Sequence, residues 1–282
     1  MATDTTLAGL DALDLGPEPR RKDAADRARQ AWAALWPKLA AIALVWLIWE
    51  LVHLTGWKKY VLPGPGVTLS NLWDQAQTGL LWHAVGDTML RAVVGYALAV
   101  VIGTVVGLLV ARIPLLRAAV GSLITGLQTL PSAAWIPFAI ILFGLDTSAI
   151  LFIIVMATAP AIANGVIAGV DYIPPLLLKS GKVIGLRGLS LTWRLIVPAA
   201  LPTFMASLKQ GWAFTWHALF TAELLVLVAN VPSIGQLFSA DQEQTDMPST
   251  IAIMVVILIL GVAVDGLFTL ANKKVRKRWG LL

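Results

Sequence analysis

Gln128, Asn164, Lys209, His217, Glu223 and Asp265 are polar side chains set inside long apolar runs of this 282-residue chain. No two of them have the spacing of a nucleophile with its base or of a metal-ligand set. The chain has no cysteine, which removes disulfides, thiolate metal sites and cysteine nucleophiles. Catalysis within this chain has no support. Polar groups at membrane depth are costly and point by default to a solute or ion path. On that ground Gln128, just before the break at Leu130-Pro131-Ser132, the pair Trp212 and Trp216, His217 and Glu223 are candidates for a translocation pathway. Each has a structural alternative. Asn164 serves as a helix–helix hydrogen bond, and Lys209 reaches back to the nearer surface. Trp212 and Trp216, at i and i+4, share a helix face with Lys209 as a packing stripe. His217 and Glu223 are six apart and so do not share a face. Asp265 is expected to pair with Lys273 or a neighbouring helix. Glu50 and His53 close the first apolar run at headgroup level.

The elements that position these residues follow from composition. The chain is 58% hydrophobic and 13% charged, with a mean hydropathy of +0.79, whereas soluble domains carry about a quarter charged residues. So few charges cannot cover a water-facing surface, but lipid accepts apolar side chains outside. A spanning helix needs about 20 mostly apolar residues. Six runs qualify, near 39–55, 90–111, 118–143, 147–170, 200–229 and 249–271. The third is interrupted by Pro131, so a kinked or split span in an interior position is expected, where other groups satisfy the freed backbone. Gly103 and Gly107 form a small-xxx-small face for close helix approach. The 12 Trp against 3 Tyr suit interfacial aromatic belts.

The fold expected is all-α, a polytopic membrane protein with six transmembrane helices and both termini cytoplasmic. With that orientation, all but Lys58, Lys59, Arg91 and Lys209 of the 21 Lys and Arg fall in inner segments, as the positive-inside rule requires. Arg91 is placed at the outer edge of the second span. The net charge of +5 thus reads as topology signals rather than a nucleic-acid site. Residues 1–30 are expected to form a disordered, then basic, cytoplasmic tail, and 31–282 the transmembrane domain. Leu62-Pro63-Gly64-Pro65-Gly66 signals a turn, and the outer segment after it has room for a short interfacial helix.

The inner segment of about 171–197 is long, basic and rich in glycine. It runs Lys179-Ser180-Gly181-Lys182, Val183-Ile184, Gly185-Leu186-Arg187-Gly188 and on to Trp193-Arg194-Leu195. Leu178, Ile184 and Leu195 are its apolar anchors, and Gly185 supplies a bend between two helical halves. Such an element presents an apolar ridge and charges to a cytosolic partner; a loop that only sets topology is the plainer alternative.

Here the sequence resembles a family. The spacing from Gly185 to Leu195 and Val197-Pro198 is similar to the EAA loop of ABC importer permeases. Lys179, Ser180 and Gly181 occupy the triplet, so its glutamate is absent. Leu62-Pro63-Gly64-Pro65, Leu90-Arg91 with Val94-Gly95-Tyr96, and Gly103 to Gly107 resemble the nitrate, sulfonate and taurine branch. Leu130-Pro131 through Ala134-Trp135-Ile136-Pro137, Leu142-Phe143-Gly144, Pro198 to Pro202 and Ala222-Glu223-Leu224 continue the match in order. The resemblance implies an importer permease of a bacterial inner membrane, two copies of it with two ATP-binding subunits, and an extracytoplasmic binding protein. It also implies a small anion or zwitterion as substrate (a sulfonate, taurine, nitrate or bicarbonate), and coupling through the loop Lys179, Ser180, Gly181, Lys182, Gly185, Leu186, Arg187 and Gly188. No G-x-x-x-x-G-K-[ST] phosphate loop occurs in the chain, so ATP and its magnesium belong on a separate subunit. A stand-alone secondary transporter or channel is the competing reading, for which internal repeats would be expected; a membrane scaffold would not need such a loop.

Overall fold

A computed structural model describes residues 24–56, 58 and 61–278, and every regular element among them is helical. Lipid offers no hydrogen bonds, so a spanning backbone must satisfy itself within each helix. The chain divides into two units. The first, ending at Lys59, holds α1 (Ala24–Leu54), of which Leu35–Leu54 is long and apolar enough to cross a membrane. Helix α1 thus begins before the boundary expected at residue 31. Residues 1–23, with most of the tail expected there, lie outside the described residues.

The second unit, from Tyr60, begins with the short helix expected after the Pro-Gly turn: α2 (Pro65–Gln77), with Pro65 at its first turn, where a missing N–H costs nothing. Helix α3 (Gly79–Arg112) follows after one residue. It starts well before the expected 90, because Leu80, Leu81, Trp82 and Val85 extend the apolar pattern toward the N-terminus. Its 34 residues span about 51 Å at 1.5 Å each. Arg91 is therefore not at its edge but more than three turns inside it.

Helix α4 (Pro114–Thr129) ends where Leu130, held extended by the following proline, breaks the chain. A 3₁₀ turn (Ser132–Trp135) and α5 (Ile136–Phe143) continue at 104° to α4, together a broken span or a re-entrant loop. The interior position expected for the break does not hold within this chain, since Pro131, Ala133 and Ala134 are exposed; the Ala134 N–H bonds Pro131 O locally instead. Gly144 (φ 72°) closes α5. Asp146 then caps α6 (Thr147–Asp171), its carboxylate accepting from the Ser148 N–H at 3.0 Å. The hydrogen bonds from Ser148, backbone first, hold that carboxyl below its ordinary range.

After α7 (Pro175–Val183) and α8 (Gly188–Leu191), a π turn (Thr192–Ile196) leads into α9 (Val197–Leu225). Helices α10 (Ile234–Glu243) and α11 (Met247–Arg278) complete the fold. Among the described residues, counting α1, five helices are long and apolar enough to span a membrane, or six with the bent pair.

Helix α6 is the centre. Ile150, Ile153, Ile154 and Ile162 on it are fully buried. Its two partners approach through missing side chains. A Cβ on Gly103 of α3 would lie 2.6 Å from Ala159 O, and one on Gly107 2.8 Å from Ala163 O. On the α9 side, a Cβ on Gly165 would lie 2.0 Å from Ser207 Cβ, and one on Gly211 2.4 Å from Ile162 Cδ1. Thr158 and Thr215 add a buried hydroxyl pair at 3.0 Å between α6 and α9.

Candidate functional site

Two places carry polar chemistry: the segment between α6 and α9, and a set of side chains at membrane depth. In the first, α7 ends in a reversal that needs glycine. The Leu186 N–H bonds Gly181 O and the Gly185 N–H bonds Lys182 O, with Gly185 at φ 86°. This pair of bonds with a left-handed residue after the cap is a Schellman motif. Gly188, at φ 53°, makes a second left-handed turn, and the Ser190 hydroxyl accepts from the Arg187 N–H to start α8.

The two limbs pack on each other through Gly181, whose missing Cβ leaves room for Leu195 Cδ1 at 2.5 Å and Leu191 Cδ1 at 3.0 Å. Arg112, in the last turn of α3, hydrogen-bonds Thr192 Oγ1 and ties the second limb to the bundle. Lys179, Ser180, Lys182, Arg187 and Gly188 are exposed and Leu186 half-buried. Val183 and Ile184 at the bend are 86% and 75% exposed. Of the residues named from sequence for this segment, Gly181 and Gly185 shape it, and the cations with Val183 and Ile184 form its outer surface.

At membrane depth the predicted residues separate. Gln128 Oε1 accepts from Asn164 Nδ2 at 2.6 Å, so the helix–helix role expected of Asn164 is met by Gln128 itself, joining α4 to α6. Trp212 is buried in an aromatic cluster, edge-on to Tyr96 (5.4 Å) and stacked on Trp216 (6.4 Å). His217 lies on the opposite, exposed face of α9, in a stripe with Ala206, Gln210 and Ala213 at three- and four-residue spacing. Lys209 is paired across helices; its Nζ lies 2.9 Å from Asp265 Oδ1 on α11 and 3.1 Å from Oδ2. Asp265 thus pairs with a neighbouring helix rather than with Lys273.

Glu223 is fully buried and does not face open space. Its Oε1 accepts from Arg91 Nη1 at 3.0 Å, and its Oε2 from the Thr88 hydroxyl at 2.9 Å and the Gly235 N–H at 3.3 Å. The Thr88 oxygen in turn accepts from the Ile234 N–H at 3.0 Å. The buried carboxylate is thus met by three donors, while Arg91 Nη2 has no hydrogen-bond partner, so the guanidinium is held in the core by its ion pair with Glu223. The node binds α3, α9 and the first turn of α10. Sequence reasoning missed Thr88 and the true place of Arg91. The available signal was charge balance: a lone arginine and a lone glutamate, each inside an apolar helix, must neutralise one another.

The chain is similar to known proteins in sequence and in fold. A family model described as the inner membrane component of binding-protein-dependent transport systems matches residues 99–277. The taurine transport system permease protein of Escherichia coli is 28% identical over 79% of this chain and 83% of its own length. The bicarbonate transport system permease protein of Synechocystis is 26% identical over 71% of this chain and 74% of its own. In fold, the chain resembles a chain of the inward-facing MetNI methionine ABC transporter, with a TM-score of 0.61 at 18% identity, covering 71% of this chain and 98% of that one. With the family model matching most of the chain, this protein belongs to the inner membrane components of binding-protein-dependent transport systems.

Proposed function

We propose that this chain is the permease of an ATP-driven importer that moves a small anion or zwitterion of the sulfonate, taurine, nitrate or bicarbonate class. The orientation has six spans, α4 and α5 together making the third, and both termini in the cytoplasm of a bacterial inner membrane. The placement of Lys and Arg supports it. Two copies form the pore, two ATP-binding subunits drive it, and an extracytoplasmic binding protein delivers the substrate.

The observation that carries the reading is the fold-back between α6 and α9. It is pinned to α3 through Arg112, turned by Gly185, and ends in exposed apolar and basic side chains. A rigid peg of this kind transmits a partner's movement into α6 and α9, the two helices it joins. The path runs along the exposed face of α9 at His217, past Trp216 and Gln128, and the polar stripe Ser122, Thr125 and Thr129 of α4, which the single chain leaves open. Glu223 and Trp212 support that face from behind.

Reconstitution into vesicles tests the reading. The permease alone is expected to hydrolyse no ATP, with hydrolysis and uptake appearing together once the ATPase and the loaded binding protein are added. Uptake by the permease alone, driven by an ion gradient, would refute it.

A further inference from the structure

The outer surface of the fold-back is of one sign. No Asp or Glu occurs between Asp171 and Glu223, whereas Lys179, Lys182, Arg187 and Arg194 fall in the 172–196 segment. Lys179 and Lys182, three apart on α7, share a helix face and are both exposed, as is Arg187 just past the turn. Between them Val183 and Ile184 present nearly bare aliphatic side chains at 86% and 75% exposure. Nothing within the segment can neutralise these cations or cover the two aliphatic groups.

The segment is also preorganised. Gly181 locks α7 against Leu191 and Leu195, the Schellman bonds fix the turn, and Arg112 anchors the base. A partner therefore meets a fixed pattern and spends little ordering entropy on it. Two more exposed leucines flank this surface, Leu176 in the first turn of α7 and Leu189 just past Gly188. Val183 and Ile184 are at the far end of α7, about 13 Å along the helix from Pro174. Two bare aliphatic groups set between cations on a fixed turn suit a shaped protein cleft, which can cover the first and pair the second at once.

Resting on the coupling role proposed above, we infer that the ATPase subunit of this importer receives the segment in an acidic cleft. Its carboxylates face Lys179, Lys182 and Arg187, and an apolar floor takes Val183 and Ile184. The aliphatic tip supplies salt-independent affinity, and the cations supply orientation and the rate of encounter.

The test uses the full-length permease in neutral phosphatidylcholine nanodiscs with the ATPase that reconstitutes its uptake, and reads the dissociation constant at low and high salt. Wild type should weaken steadily with salt. The triple variant Lys179→Glu, Lys182→Glu, Arg187→Glu should weaken binding at least about tenfold at low salt, as lost ionic contacts and new repulsion combine. Its salt dependence should reverse, and a carboxylate-to-lysine change in the cleft should restore affinity. Val183→Ser with Ile184→Ser should weaken binding equally at both salts. Triple-variant affinity within about twofold of wild type would overturn the acidic cleft. So would a loss that appears only as weaker binding of anionic phosphatidylglycerol vesicles. Failure of the ATPase to cross-link anywhere in 175–196 would instead sink the coupling role itself, so the two failures are distinguishable.

Discussion

The helical core and the fold-back use the same residue types in opposite ways. In the core, Gly103 and Gly107 matter for the Cβ they lack, because α3 could not otherwise rest on the α6 backbone. In the fold-back, a Cβ on Gly185 would meet nothing within 4 Å, and the glycine matters for its φ of 86°. Charges divide in the same manner. Arg91 is 4% exposed and paired with a carboxylate that is 0% exposed, while Lys179, Lys182 and Arg187 stand in the open beside aliphatic side chains. A charge buried in the core holds the helices together; a charge on the fold-back is available to a second chain. The core therefore sets whether the protein folds, and the fold-back what its folding is used for.

Substitutions can break or sharpen that division. Glu223→Ala leaves Arg91 buried without a partner and should cost about 3–5 kcal/mol, seen as a large drop in the melting temperature of the purified protein. The neutral double change Arg91→Met with Glu223→Leu should recover most of that. No recovery would mean that the node does more than balance charge. Gly103→Leu should cost about 1–3 kcal/mol through overpacking against Ala159 and Ile162, again read as melting temperature.

In the fold-back, Gly185→Val adds about 1–3 kcal/mol of local backbone strain. Insertion and the global melting temperature should change little, while uptake and substrate-stimulated hydrolysis fall together. Gly185→Asn, which tolerates the left-handed region, should be much milder. Normal uptake by the valine variant would erase the contrast between the two regions. The smallest effect is expected for Asn164→Leu. Its single interhelical hydrogen bond to Gln128 is worth about 0.6 kcal/mol in a membrane, so melting should scarcely move.

The sequence by itself determined the class of the protein and its lengthwise plan. Lipid acts on each apolar run separately, so run length, proline and the placement of Lys and Arg suffice to mark helices, the break at Pro131 and the segment between α6 and α9. Even Gly185 as a bend was legible, because positive φ is a local demand. Helix ends were less so: α3 begins at Gly79 because apolar pattern continues into what composition read as a connection. Pairing was decided only by the tertiary structure. Arg91 and Glu223 lie 132 positions apart, and Lys209 and Asp265 lie 56 apart. Each α-helical residue turns its side chain by about 100°, so which polar group faces which neighbour depends on the rotation of every packed helix. That rotation is set by the close approaches at Gly103, Gly107, Gly165 and Gly211. It turns Glu223 and Trp212 inward and leaves His217 on the open face.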